Sequence, residues 1–253
     1  MNETGNNGWE NSAQAWIDSQ QDQGDFSRAY ILDRAMLERI GVPSVTGSEA
    51  GPVLDLGCGE GRFCRLLSAQ GHAVTGIEPT PSLLARARSL DPQGRYVRAG
   101  AEALPFADAS FGLVISYLTL IDIDDIGAAI AEAARVLRPG GRLLIANINP
   151  FCTAGAWQKD GQGRSTAFAM DRYLEERAEW VSWAGIEIRN WHRPMTLYMQ
   201  LLLGAGLQLV HFDEPAPHGG PAERVEKYTR VPWFHVMEWV KPVAVASTPP
   251  VPI

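Results

Sequence analysis

The sequence predicts an open α/β fold, in which a mostly parallel sheet is covered by helices on both faces. Short apolar runs of strand length alternate with segments of helical periodicity from Val53 to Asn147. The first apolar run, Val53–Leu56, is typical of a strand buried on both faces, and a glycine-rich turn joins it to a helix. Together these observations place a ligand-binding turn at the edge of the predicted sheet.

The stretch from Val53 to Glu78 has the order strand, glycine turn, helix, strand. Gly57, Gly59 and Gly61 let the backbone turn sharply and approach a ligand closely. Glu78 stands at the carboxyl end of the second strand, where a carboxylate can accept both hydroxyls of a ribose. In the dinucleotide fingerprint G-x-G-x-x-G the third glycine comes one residue later, so this spacing disfavours an NAD-dependent oxidoreductase, which we keep as an alternative.

The other elements follow in chain order. The predicted helices are 11–20, 26–40, 81–90, 126–137 and 192–205, and the predicted strands are 73–77, 95–99, 111–117, 142–147, 207–214 and 229–240. The irregular, aromatic-rich segment 149–192 predicts a cap over the carboxyl end of the sheet. Within it we expect a short helix near Asp171 and a hairpin turning at Ala184-Gly185.

Three motifs identify a family. They are D-x-G-x-G-x-G from Asp55 to Gly61, AEALPF from Ala101 to Phe106, and ARVLRPGGRLLIAN. With them, the chain resembles the class I S-adenosylmethionine (SAM) dependent methyltransferases over residues 26–242. Three further motifs resemble those of a small-molecule subgroup near the quinone C-methylating enzymes. They are HRP-x-[ST]-x-Y, A-G-[FL] and E-P. The resemblance implies a Rossmann-like seven-stranded sheet of order 3-2-1-4-5-7-6 with an antiparallel last strand, SAM as cofactor and S-adenosylhomocysteine as product.

The resemblance also implies a cofactor site. Gly100 stands where the family usually has an Asp that accepts from the adenine amino group, so Ala101 N–H or Glu102 would serve instead. Trp16 and Arg28 lie on predicted lid helices, and Arg28 could pair with the SAM carboxylate; ordinary packing and a surface charge are the alternatives. The predicted cofactor residues are Asp55, Gly57, Cys58, Gly59, Glu78, Pro79, Gly100, Ala101, Glu102, Ser116, Tyr117, Trp16 and Arg28.

The aromatic cap predicts a pocket for a planar, mostly apolar small molecule, lined by Trp157, Phe168, Trp191 and Leu120. We expect in-line methyl transfer that depends mainly on positioning, which contributes roughly 7–11 kcal/mol in favourable cases. For an acceptor that must lose a proton, His192 is the first predicted proton acceptor, followed by Tyr117 and Tyr198. Local hydrogen bonding is the alternative for His192, and a non-catalytic SAM-binding protein is the alternative for the whole chain.

The composition limits the classes of molecule that the protein is expected to bind. The chain has 253 residues and a net charge of -7 without a basic tract, which argues against nucleic acid and anionic membranes. Three cysteines without metal-ligand spacing fit a reducing compartment, and no segment resembles a signal peptide or a membrane span. We interpret Asp122, Asp124 and Asp125 as acids at a helix start rather than metal ligands. We therefore expect a cytoplasmic monomer or homodimer with a small-molecule substrate and no metal.

We expect one methyltransferase domain over residues 1–253. Its predicted parts are N-terminal lid helices in 1–45, a SAM-binding core in 46–148, a substrate cap in 149–192, the rest of the core in 193–242 and a flexible tail in 243–253. Residues up to about Gly8 are also expected to be disordered.

Overall fold

A computed structural model describes residues 7–20, 24–43 and 51–243. Its strands are β1 Val53–Leu56, β2 Val74–Ile77, β3 Arg95–Val97, β4 Phe111–Tyr117, β5 Leu137–Ile148, β6 Gly155–Lys159, β7 Ser165–Met170, β8 Arg177–Trp183, β9 Ile186–His192, β10 Gln208–Asp213 and β11 Phe234–Val240. Its helices are α1 Trp9–Ser19, α2 Asp33–Ile40, α3 Arg62–Ala69, α4 Pro81–Leu90, α5 Ile126–Val136, α6 Pro150–Thr153, α7 Met195–Gly204 and α8 Ala222–Thr229. The predicted disorder up to about Gly8 and in the tail 243–253 lies mostly outside the described residues; Asn7, Gly8 and Val243 are described, and Gly8 is the N-cap of α1.

Seven strands form one sheet in the order β10-β11-β5-β4-β1-β2-β3. The five neighbouring strands β3, β2, β1, β4 and β5 are parallel to one another. The strand β11 runs antiparallel to both β5 and β10. Numbered among themselves along the chain, these strands have the order 3-2-1-4-5-7-6, so the predicted Rossmann-like topology is confirmed. The order reverses between β1 and β4, and open α/β sheets bind their ligands beyond the carboxyl ends of strands at such a point.

Alternate side chains of the inner strands enter two hydrophobic cores, one on each face of the sheet. On β5, Leu143 and Ile145 join the core that contains α5 and α7, whereas Leu144 and Ala146 join the core that contains α2 and α3. Successive side chains of a strand point to opposite faces, so a strand covered on both sides is apolar along its whole length. This explains why every residue of β1 is buried, including Asp55 beneath the ligand-binding edge.

The segment before β1 packs over the carboxyl edge of the sheet. In α1, Ser12 Oγ donates to Glu187 O at 2.9 Å, and in the return contact Glu187 N donates to Ser12 Oγ at 2.9 Å. Glu10 accepts hydrogen bonds from the start of α4, so α1 bridges β9 and α4. The predicted helix 26–40 contains a π-helical segment, Arg28–Leu32, before α2. No described helix has the length and apolar character needed to cross a membrane.

The segment between β5 and α7 folds as two hairpins, β6–β7 and β8–β9. The predicted turn at Ala184-Gly185 is confirmed, because it joins β8 to β9. The predicted short helix near Asp171 is wrong, since residues 171–176 form a turn stabilised by ion pairing of Arg172 with Glu175.

The segment after β10 differs from the prediction. A loop and then a strand beginning at residue 229 were expected, but α8 occupies Ala222–Thr229 and the last strand begins at Phe234. No residue of α8 is buried. Val225 and Tyr228 are its two side chains that pack against the hydrophobic core, so the apolar pattern of this two-turn helix is too short to identify it from the sequence.

Candidate active site

The glycine loop between β1 and α3 lines a large cavity. Gly57, Gly59 and Gly61 have positive φ values of 65°, 57° and 79°. A Cβ atom on Gly57 would lie 2.4 Å from Thr119 Cγ2, so this glycine permits close packing of the loop against the segment after β4. Among the residues that the structure describes, a Cβ atom on Gly59 would meet only Trp16 Nε1, at 3.8 Å. Gly59 is therefore the position where the backbone of the loop is open to a ligand.

Glu78 follows β2, and its carboxylate contacts the glycine loop where both line the cavity. Its Oε2 accepts from the backbone N–H of Gly59 at 2.9 Å, and its Oε1 accepts from Thr80 N–H at 2.8 Å. The side chain is buried, and this burial raises the pKa of the carboxyl group above its usual value. Because a carboxylate has about four acceptor positions, the two oxygens retain capacity for the hydroxyls of a ribose.

Three predicted cofactor contacts, Asp55, Cys58 and Ser116, lie behind the loop. Asp55 Oδ2 accepts a hydrogen bond from Cys64 Sγ at 3.3 Å, and burial raises the pKa of Asp55 to about 7. The Cys58 thiol faces β2, because a Cβ atom on Gly76 would lie 2.7 Å from its Sγ. Ser116 is fully buried in β4. The prediction is corrected here: these side chains support the loop from behind and do not line the cavity.

Pro79, Gly100, Ala101 and Glu102 line one end of the cavity. A Cβ atom on Gly100 would lie 2.7 Å from Glu102 Oε2. The Glu102 carboxylate thus occupies the space beside Gly100 in which an aspartate side chain at this position would begin. This placement supports the predicted substitution of Glu102 for the missing aspartate.

Trp16 and Arg28 belong to the segment before β1 and line the cavity. The guanidinium carbon of Arg28 lies 4.9 Å from the ring centroid of Trp16 and 5.5 Å from that of Tyr117, so the cation is held between two aromatic faces. Arg28 also donates to Asp25 at 2.9 Å. The π-helical segment begins at Arg28, and π-helical turns occur frequently at functional sites.

Tyr117 lines the cavity, but its hydroxyl already acts as a donor. It donates to Asp33 Oδ1 at 2.7 Å, and Asp33 also pairs with Arg62. Burial, and then the charge of Asp33, raise the pKa of Tyr117 well above its usual value. The phenol therefore stays protonated at neutral pH, which argues against Tyr117 as a proton acceptor and favours a role in shaping the cavity. Sequence reasoning missed Asp33 and Arg62, because their pairing joins helices far apart in the chain.

Two of the three acids after β4 are held by a helix cap or an ion pair. Asp125 caps α5 by accepting from Ala128 N–H at 2.9 Å, as expected for an acid at a helix start. Asp124 pairs with Arg189 and accepts from Trp191 Nε1 at 2.9 Å. These contacts fasten the segment after β4 to β9. Within the described ranges, no group of three or more His, Cys, Asp or Glu side chains is placed to hold a metal ion.

The third acid, Asp122, lines the cavity. It accepts a hydrogen bond from Asn190 Nδ2 at 2.5 Å and makes no ion pair with any residue that the structure describes. Burial, and then the charge of Glu78, raise its pKa well above the usual value. A carboxyl group with a perturbed pKa in a cavity is a candidate for acid–base chemistry. The sequence grouped Asp122 with its neighbours, and only the tertiary contacts separate it from them.

The cavity has a volume of about 2320 Å³. Sites for one drug-sized ligand have volumes of about 300–1,000 Å³, so this cavity has room for a cofactor and a second molecule. From Glu78 and Gly59 it extends past Tyr117 to an aromatic far end, lined by Trp157, Tyr228, Trp233 and Phe26.

Of the four predicted substrate-pocket residues, Trp157 lines the cavity. Phe168 lies behind it, with an edge-to-face contact at 5.2 Å between ring centroids. Trp191 and Leu120 are corrected: the Trp191 indole hydrogen-bonds to Asp124, and Leu120 is buried in the hydrophobic core. Tyr228 and Trp233 line the cavity but were not predicted, because a loop and a strand were expected where α8 lies.

His192 and Tyr198 do not reach the cavity, which corrects two predicted proton acceptors. Nδ1 of His192 lies 2.6 Å from Thr153 Oγ1, and Nε2 lies 2.8 Å from the carbonyl oxygen of Tyr173. A carbonyl only accepts, so Nε2 carries the proton and Nδ1 accepts from the hydroxyl. Tyr198 is buried in the hydrophobic core, and burial raises the pKa of its phenol. The local hydrogen-bonding alternative for His192 thus agrees with the structure.

We expect His192→Ala to lower the free energy of unfolding by about 1–3 kcal/mol, because a buried imidazole is removed and two half-buried partners lose their hydrogen bonds. Burial lowers the pKa of His192 below its usual value, so the folded state favours the neutral ring. The stabilisation is then full above the unfolded pKa of about 6.5 and is lost as the pH falls through the lower folded pKa. Urea titrations at pH 7.5 and 5.5 should show a larger difference between wild type and variant at pH 7.5.

His211→Ala, on the edge strand β10, is the matched control for this variant. SAM affinity should stay unchanged in both. A fully stable His192→Ala protein would contradict the structural role.

Comparison with known proteins agrees with this site. A family model described as a methyltransferase domain matches residues 54–145. A malonyl-[acyl-carrier protein] O-methyltransferase from Serratia marcescens is 34% identical over 196 residues, covering 74% of this chain and 76% of that protein. A demethylmenaquinone methyltransferase from Tropheryma whipplei is 37% identical over 114 residues, covering 44% of this chain and 46% of that protein. The chain spans between half and two thirds of the length of four further curated O-methyltransferases.

Solved structures point the same way. An S-adenosylmethionine dependent methyltransferase from Mesorhizobium loti has a TM-score of 0.68 and 28% identity, covering 82% of this chain and 94% of that one. The sheet order, the glycine loop and the carboxylate after β2 define a nucleoside-cofactor enzyme of the open α/β class. With these relatives, the chain belongs to the class I SAM-dependent methyltransferases, and its cofactor is SAM. This excludes the NAD-dependent alternative.

Proposed function

We propose that the protein transfers the methyl group of SAM to a small organic acceptor with a flat, apolar part. The observation that carries this proposal is the single cavity that joins the glycine loop to the aromatic far end. The relatives are named for an acyl-carrier-bound malonyl group and for demethylmenaquinone. The O-methyltransferase names favour oxygen as the acceptor atom.

In this proposal Glu78 binds the ribose hydroxyls, Glu102 accepts from the adenine amino group, and Arg28 meets the SAM carboxylate. The residues present fit the cofactor: a buried carboxylate with free acceptor capacity faces an open glycine backbone. Pro79 and Ala101 line the same end of the cavity and would contact the adenosine. Bound SAM supplies an electrophilic methyl group on a sulfonium.

The protein's own task is to orient the acceptor, to exclude water and to remove a proton where the acceptor carries one. We assign proton removal to Asp122, because its carboxyl group lines the cavity and forms no salt bridge with a described residue. Burial raises its pKa, and the ionised form of a carboxyl group with a raised pKa is a stronger base than that of an exposed aspartate. An acceptor that is already ionised would not need this step.

The test is turnover of SAM with a small-molecule extract of cells as the source of acceptors. We expect S-adenosylhomocysteine to form together with a product heavier by one methylene unit, both detected by mass spectrometry. Asp122→Asn should bind SAM as wild type does and should form product about 10²–10⁴ times more slowly with a hydroxyl acceptor. Tight SAM binding without turnover in any extract would instead favour the non-catalytic SAM-binding alternative.

A further inference from the structure

Two cations on α8 line the far end of the cavity, and we call them the basic rim: Arg224 and Lys227. They stand three residues apart on the helix, so their side chains lie on the same face. Neither forms an ion pair with a carboxylate of residues 7–20, 24–43 or 51–243. The other two cations at this end have partners: Arg230 donates to the carbonyl oxygens of Ser165 and Thr166, and Arg164 pairs with Asp160.

Aromatic rings hold the basic rim against the cavity. The Arg224 guanidinium carbon lies 5.5 Å from the Phe26 ring centroid, and Lys227 Nζ lies 5.2 Å from that of Trp233 and 5.8 Å from that of Tyr228. These distances are those of cation–π contacts, which position a cation while leaving its N–H donors available. The rim therefore presents unfilled donors next to a flat apolar surface.

The helix also carries two acids, Glu223 and Glu226, which line the same end of the cavity. They reduce the net charge of the helix, so long-range attraction does not explain an anion preference here. The selective element is local: cationic donors fixed over aromatic faces can bind a carboxylate or phosphate through short charge-assisted hydrogen bonds. A neutral polar group of the same shape gains only ordinary hydrogen bonds.

We propose that the acceptor is an anionic planar molecule. Its flat part packs among Trp157, Tyr228 and Trp233, and its carboxylate or phosphate group is bound by Arg224 and Lys227. This inference rests on the proposed function, since it assigns the chemical class of the acceptor that enters the far end of the cavity. The proposed anion site lies away from the SAM end of the cavity, where Glu78 and Glu102 would repel an anion.

The test compares three ligands that share a naphthalene ring by calorimetry on protein loaded with S-adenosylhomocysteine: 2-naphthoate, 2-naphthyl phosphate and the neutral 2-naphthamide. Wild type should bind at least one of the two anions about tenfold or more tightly than the amide. Which anion binds more tightly distinguishes a carboxylate acceptor from a phosphate acceptor. The double variant Arg224→Gln, Lys227→Gln should abolish this preference and leave the affinity for the amide unchanged.

The control is Arg86→Gln with Arg95→Gln, which removes the same charge from exposed positions outside the cavity. It should keep the preference for anions. Equal affinity of wild type for all three ligands, absence of any binding at millimolar concentration, or an equal loss in the control would overturn the proposal.

The affinity for S-adenosylhomocysteine, measured on the same samples, separates the two proposals. Normal cofactor binding without an anion preference refutes the acceptor class alone. Loss of cofactor binding in wild type refutes the proposed function, and the anion preference is then measured on protein without cofactor.

Discussion

Glu78→Ala is expected to lower the affinity for SAM by about tenfold or more while the fold survives. The buried carboxylate accepts from the backbone N–H groups of Gly59 and Thr80 and faces the cavity. Loss of its charge-assisted contacts to two ribose hydroxyls costs roughly 1.5–3 kcal/mol, and about 1.4 kcal/mol corresponds to a tenfold change in affinity. Calorimetric titration with SAM measures the effect directly.

Glu60→Ala is the matched control, because Glu60 lies in the glycine loop that Glu78 contacts but pairs with Arg65 outside the cavity. We expect Glu60→Ala to reduce stability and to leave SAM affinity within about twofold, since it touches no proposed cofactor contact. Unchanged SAM affinity in Glu78→Ala would show that this carboxylate does not bind the ribose.

Gly59→Val is expected to weaken SAM binding by roughly a hundredfold or more. Within the described part of the chain, a Cβ atom at Gly59 has only Trp16 Nε1 nearby, at 3.8 Å, so the new side chain would extend into the space proposed for the cofactor. Gly59→Ala should give a smaller loss in the same direction. Both variants also bear strain at φ 57°, which costs about 1–2 kcal/mol for an L residue.

Gly71→Val controls for that strain. Gly71 has φ 93°, and among the described residues an added Cβ atom would meet only Pro43 Cγ, at 3.7 Å; Gly71 follows the opposite end of α3 from the glycine loop and does not line the cavity. It should lose stability comparably and bind SAM normally. Gly57→Ala should instead destabilise the fold strongly, because its Cβ atom would lie 2.4 Å from Thr119 Cγ2. If Gly59→Val binds SAM as wild type does, the loop does not approach the cofactor as proposed.

The elements of the sheet could be predicted because each leaves a local pattern. β1 and β4 are continuous apolar runs, since both of their faces are buried, and α5 has an apolar stripe facing one core. Glu78 could be singled out because the end of β2 and the glycine loop are fixed by the same short stretch of sequence. The helix α8 could not, because it has eight residues and only Val225 and Tyr228 of these pack against the core, which is too short a pattern to recognise.

The sequence by itself determined the family, the cofactor and the layout of the glycine loop, because these depend on residues close together in the chain. Only the tertiary structure decided which side chains of a plausible type reach the cavity. Asp122 and Asp124 both line it, but Asp124 is paired with Arg189, Asp125 caps α5, and His192 is turned towards Thr153 and Tyr173. The physical reason is that the direction of a side chain depends on partners from distant segments, and no local pattern records those partners.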